Sequence, residues 1–265
     1  MKDDDALAPL ADRLAKPVTP DTPLPEVTDL APDLALPEAQ RLQRLIKLRQ
    51  MAPGDRIAGY AAAFTSAGSQ RLMPTLPFPL VGLMLGSQVL AEGQPFARQD
   101  GPFLIEAEIG VTLGADLAGP DTDTDAARRA IARAFVAIDI ARVVPGSLTG
   151  QCSNAQMIAL QKYHGGIAVP GAGRAFATDD DLAAEALTLT VDGTTRAQAD
   201  GSAAMGDPIA VVAAMARRLA ETGQGLCAGQ TLLTGSLAPP LPLTADMSRI
   251  TVTGTTLGTV TLDIA

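Results

Sequence analysis

Two glutamates one alanine apart are the residues of this chain best suited to chemistry. They sit in "FLIEAEIGVTLG" (103–114), an apolar run that reads as a strand. Side chains alternate faces along a strand, so Glu106 and Glu108 share one face while Ile105, Ala107 and Ile109 take the other. Same-face neighbours of this kind stand roughly 5–7 Å apart. At an effective dielectric of about 20 their repulsion reaches ~3 kcal/mol. Once buried, the pair needs a cation, a basic partner or a shared proton. A third acid, Asp139, lies in "VAIDIARV" (136–143), where Val136, Ile138 and Ile140 alternate with Ala137, Asp139 and Ala141. The alanines leave open space around it. Two strands that each turn acids onto a small-residue face make a three-oxygen site, which hard divalent cations accept while keeping positions for water or substrate oxygens. The same pattern equally describes the solvated face of a half-buried sheet.

Periodicity and punctuation outline the elements that must position these acids. Residues 1–36 carry Pro9, Pro17, Pro20, Pro23, Pro25 and Pro32 and read as an N-terminal arm without a long helix. From Pro37 a helix is expected over Glu38–Gln50, with Leu42, Leu45, Ile46 and Leu48 as its stripe and Pro53-Gly54 as its stop. "RIAGYAAAFTS" (56–66) reads as a strand running into a loop, and "GPDTDTDAARRAIARAF" (119–135) as an acidic helix start followed by a short helix. "HGGIAVPGAGR" (164–174) reads as a Gly-rich loop, and its Gly171-Ala172-Gly173 is no dinucleotide fingerprint. "ALTLTVDG" (186–193), "TLLTGSLA" (231–238) and residues 248–264 read as strands, and Pro208–Thr222 as a helix stopped by Gly223. Many strands without regular βαβ alternation predict an α+β fold with a curled, barrel-like sheet, forming one domain over 37–265.

Composition narrows the partners. The 265 residues are 47% hydrophobic, enough for a large core. A formal charge of −9 argues against a phosphate-backbone partner, and the absence of Trp, with only two Tyr, argues against base-stacking platforms. Cys152 and Cys227 match no zinc spacing or disulfide framework. No run of about 18 apolar residues offers a membrane span, and the acidic start does not resemble a signal peptide. A cytosolic protein is expected.

Taken together, "IEAEIGVTLGADL" (105–117), "AFVAIDIARVV" (134–144), "GDPIAVVAAMARRLAETGQGLCAGQTLLTGSL" (206–237) and "GDRIAGYAAAFTS" (54–66) resemble the 2-keto-4-pentenoate hydratase group of the fumarylacetoacetate hydrolase superfamily. Decarboxylases of 4-oxalocrotonate share the pattern, and the resemblance covers roughly 38–265. It implies a Mg²⁺ or Mn²⁺ site at Glu106, Glu108 and Asp139. It also implies a small 2-oxo or 2-hydroxy-dienoic acid as substrate, an enolate stabilised by the ion, and a homo-oligomer. Thr65, Ser66 and Ser236 fall in segments the group uses to meet substrate. Asp139 stands where a Glu is usual, so its shorter reach implies an inward shift of the strand or a bridging water.

Other departures touch proton transfer. Ala61 stands where the group carries a Lys near the substrate, and Leu80 where it carries a second acid. The segment around Gln151 lacks an expected Asp, and Gln230 replaces another acid. No catalytic acid or base is thereby identified. Lys162, beside Tyr163 and His164, is a substitute only if its loop enters the site. Two readings remain. One is a metal-dependent hydratase- or decarboxylase-like lyase; the other is a catalytically impaired relative that serves as a binding or scaffold subunit.

Overall fold

The computed structural model describes residues 3–16, 34–72, 78–143, 153–160 and 167–265. Its helices are α1 (Asp4–Leu14), α2 (Leu36–Gln50), α3 (Ala67–Leu72), α4 (Thr124–Ala130), α5 (Asn154–Leu160) and α6 (Pro208–Ala220). The first strands are β1 (Ile57–Ala63), β2 (Leu80–Leu85), β3 (Phe103–Leu113), β4 (Ile131–Arg142), β5 (Ile167–Pro170) and β6 (Arg174–Ala175). They are followed by β7 (Ala186–Val191), β8 (Thr194–Asp200), β9 (Thr231–Leu233), β10 (Leu241–Pro242), β11 (Arg249–Gly254) and β12 (Thr259–Asp263).

β3 and β4, the two acid-bearing strands, pair antiparallel from Phe103↔Arg142 to Leu113↔Ile131. They centre a sheet ordered β2-β1-β9-β3-β4-β5, with β10 also on β3 and β6 also on β4. A second sheet, β12-β11-β7-β8, shares one core with it. Ile105, Ile109, Val111, Val136 and Ile138 enter that core with Leu187, Leu189, Val252 and Val260. The alternation that buries these apolar side chains forces Glu106, Glu108 and Asp139 to the opposite face. The α+β expectation therefore holds, while barrel-like closure does not: β2 and β5 end the path, and no pairing joins them among the described residues.

Edge strand β2 is sealed by α2. Gln40 Nε2 donates to the Val81 carbonyl at 3.2 Å. Gln43 takes the Leu83 amide on Oε1 at 3.0 Å and donates through Nε2 to the Ile158 carbonyl at 2.7 Å. Unpaired main-chain groups on a sheet edge invite further strands, and these glutamines satisfy them instead.

The arm reading fails for Asp4–Leu14, which is helical and capped by Asp3 through the Ala6 amide at 2.9 Å. An interior proline such as Pro9 costs about 3 kcal/mol. Burying Leu7, Ala11 and Leu14 in a cluster with Leu42 and Ile46 offsets it, at roughly 1.5–3 kcal/mol per leucine. Residues 17–33 of the arm lie outside the described residues. The expected loop at 164–174 contains β5 and β6, because β4 offers an edge for Ile167–Pro170 and Arg174–Ala175 to pair with. β9 stops at Leu233 rather than 238, where Gly235 turns to φ +92°. No helix among the described residues is long and apolar enough to cross a membrane.

Candidate metal centre

Register brings the three acids together. Glu106 lies opposite Asp139 and Glu108 opposite Ala137, so one cross-strand pair and one diagonal neighbour share a face. One carboxylate oxygen from each lies within 4.8 Å of the others. Glu108 is 0% and Asp139 2% exposed, while Glu106 is partly buried. This is no solvated sheet face. Each pair of charges repels by ~3.5 kcal/mol at an effective dielectric of about 20, so the cluster favours a cation at its centre.

The donor set fits a hard divalent ion. All three ligand groups are carboxylates, the class that Mg²⁺ and Mn²⁺ prefer. Two oxygens on one Mg²⁺ stand at most about 4.2 Å apart, close to the 4.8 Å that spans this cluster. The antiparallel register sets Asp139 directly against Glu106. Glu108 is also fixed from behind: its Oε2 accepts the Gly235 amide at 2.7 Å.

The candidate substrate residues separate. Thr65 is 2% exposed beside Gly235, and its Oγ1 has no hydrogen-bond partner among the described residues. Ser66 starts α3: its Oγ lies 2.9 Å from Ser69 Oγ and accepts the Ser69 amide at 3.2 Å. Ser236 donates its hydroxyl to the Ala238 carbonyl at 2.7 Å and so serves its own turn. Thr65 and Ser66 line a cleft of about 400 Å³ with Gln70, Ser202, Met205 and Gly206. Phe64 and Met205 flank it in left-handed conformations, φ 57° and 51°, and the Met205 amide donates to the Thr65 carbonyl at 2.9 Å. Such residues cost of order 1–3 kcal/mol each and concentrate at functional sites. Nothing in their sequence marks Ser202 or Met205, whereas Gly235 was visible inside the "TGSL" loop.

Beside the acids the face turns apolar. Ala61, Met84, Phe135, Ala137 and Leu233 form a buried cluster. The Phe135 ring lies over Gly110, where a Cβ would meet it at 2.2 Å. Leu80 is buried in another apolar cluster, and Gln230 Oε1 accepts the Cys227 amide at 2.9 Å. Gln151, Cys152, Lys162, Tyr163 and His164 lie outside the described residues.

The model of the fumarylacetoacetate (FAA) hydrolase C-terminal family matches residues 56–265, most of the chain and all of both sheets. The chain belongs to the FAA hydrolase family. One curated relative, a 2-keto-4-pentenoate hydratase of Burkholderia vietnamiensis, is 27% identical over 247 residues, covering 92% of each chain. Among solved FAA hydrolase folds, the 4-oxalocrotonate decarboxylase of Pseudomonas putida G7, complexed with magnesium and adipate, superposes with a TM-score of 0.85 at 22% identity. That match covers 100% of this chain and 99% of the other. The fumarylpyruvate hydrolase of Pseudomonas aeruginosa, in complex with Mn²⁺ and pyruvate, gives a TM-score of 0.60 at 18% identity, covering 78% and 88%.

Proposed function

We propose that this chain is a divalent-metal-dependent lyase of the 2-keto-4-pentenoate hydratase type, acting on small 2-oxo or 2-hydroxy-dienoic acids. The observation that carries this reading is the buried convergence of Glu106, Glu108 and Asp139. These residues would hold Mg²⁺ or Mn²⁺. When bound, such an ion supplies Lewis acidity toward the carboxylate and keto oxygens of a 2-oxo acid. Thr65 would offer its hydroxyl to the substrate, and the cleft beyond it would take the chain's far end. The cleft's described lining is neutral, which suits a short uncharged tail. The packed apolar cluster around Ala61 excludes water from the adjoining face.

Hydration requires a group of suitable pKa to deliver a proton to carbon. With Ala61 and its apolar neighbours at one flank, enolisation fits better, since it moves a proton without activating a water, whereas decarboxylation would further need a carboxylate at the substrate's far end. That same flank favours a second reading, a relative that binds 2-oxo acids without turning them over. Calorimetric titration of Mg²⁺ and Mn²⁺ into chelator-stripped protein, with and without oxalate, tests the centre. Binding tightened by oxalate is expected, and no binding by the wild type sinks the lyase reading. Turnover assays should then consume a neutral-tailed 2-hydroxydienoate faster than 4-oxalocrotonate. Metal binding with no turnover of any 2-oxo acid would select the second reading.

A further inference from the structure

We infer that Gly235 is the positioning residue of this centre, holding the metal ligand Glu108 and setting Thr65 beside it; the inference rests on the metal-binding reading above. Its amide donates to Glu108 Oε2 at 2.7 Å, a charge-assisted bond to a fully buried carboxylate. The backbone there has φ +92°, a conformation that favours glycine. Space forbids a side chain as well. A Cβ at 235 would lie 2.1 Å from Thr65 Oγ1, 3.0 Å from its Cγ2 and 3.1 Å from its Cβ.

Neither partner can retreat easily. The 235 loop is clamped to β3 on both sides. Thr234 donates to the Ile109 carbonyl through its amide at 3.1 Å and its hydroxyl at 2.7 Å, and the Leu237 amide donates to the Ala107 carbonyl at 3.1 Å. Thr65 is held through its carbonyl by Met205 and is itself buried. Relief of a clash therefore runs through the bond to Glu108 or through Thr65. Gly235 joins the acid row to the residue that opens into the cleft, so a change at one is felt at the other.

The test is Mn²⁺ affinity by calorimetry on the full chain, with circular dichroism reporting fold. Gly235→Ala should weaken Mn²⁺ binding ~10–100-fold, the range for groups that orient a ligand. Gly229→Ala is the control: it has φ +80° but nothing within 4 Å of its added Cβ, so it shares the backbone penalty without the clash. It should bind Mn²⁺ as the wild type does. Thr65→Ala in the Gly235→Ala background removes the two nearest atoms and should restore most of the affinity. Unchanged binding in Gly235→Ala, an equal loss in Gly229→Ala, or no recovery in the double variant overturns the inference. If Gly235→Ala fails to fold, the double variant must both fold and bind, and its failure to do either is equally fatal. A wild type that binds no Mn²⁺ overturns the metal reading itself, and this inference with it.

Discussion

Two regions of the main sheet bury polar side chains, and they do so for different reasons. At edge strand β2, Gln40 and Gln43 of α2 lie buried against main-chain groups that each match them. Lys47 continues the row, its Nζ donating to Gln88 Oε1 at 3.2 Å. Each of these contacts pairs a donor with an acceptor, and the result is a closed edge. At the β3–β4 pair, Glu106, Glu108 and Asp139 place three like charges within 4.8 Å. Burial of polar groups therefore does not by itself mark a functional site; burial that brings like charges together does.

Removing one acid tests that contrast most strongly. Glu108→Gln keeps an acceptor for the Gly235 amide while deleting a charge. Mn²⁺ affinity should fall by more than the ~10–100-fold typical of a residue that only orients a ligand. The metal-free protein should melt several degrees higher, because ~3 kcal/mol of repulsion per pair is relieved. Calorimetry and thermal melts in chelator check both. A lower metal-free midpoint would mean that the acids are held by favourable contacts, as at β2.

Gln43→Leu makes the opposite case. It strands the Leu83 amide and the Ile158 carbonyl, each worth about 1–3 kcal/mol when buried without a partner. Chemical denaturation should show a loss of roughly 2–4 kcal/mol with Mn²⁺ affinity unchanged. A change in affinity would tie the sealed edge to the metal centre.

The smallest effect belongs to a half-buried surface pair. Arg174 donates to Asp180 at 2.6 Å, and this bond, with the Ala177 amide, holds the Asp180 carboxyl below its usual range. A depressed carboxylate contributes stability that is present above the unfolded value of about 3.9 and is lost as pH falls through the folded value. Asp180→Asn should therefore flatten the acid side of the stability curve by less than about 1 kcal/mol. Urea midpoints between neutral pH and acid measure this, and an unchanged acid limb would show that the pair adds nothing.

What the sequence by itself determined is local. Period-2 alternation put Glu106 and Glu108 on one face and Asp139 opposite the core-facing Ile138 and Ile140. Pro208 and Gly223 bounded α6 to within a few residues, since helix ends are written in nearby residues. The α1 helix escaped that logic, because its stability comes from α2 and not from its own proline-bearing segment. Likewise β5 forms on an edge offered by β4, and its Gly-rich surroundings hide it. Tertiary structure alone decided the centre's shape. Pairing Glu106 with Asp139 depends on the register of two strands separated by α4, and the Gly235 amide reaches Glu108 from a loop more than 100 residues later. Alternation says which way a side chain points; only the packed sheets say what it meets there.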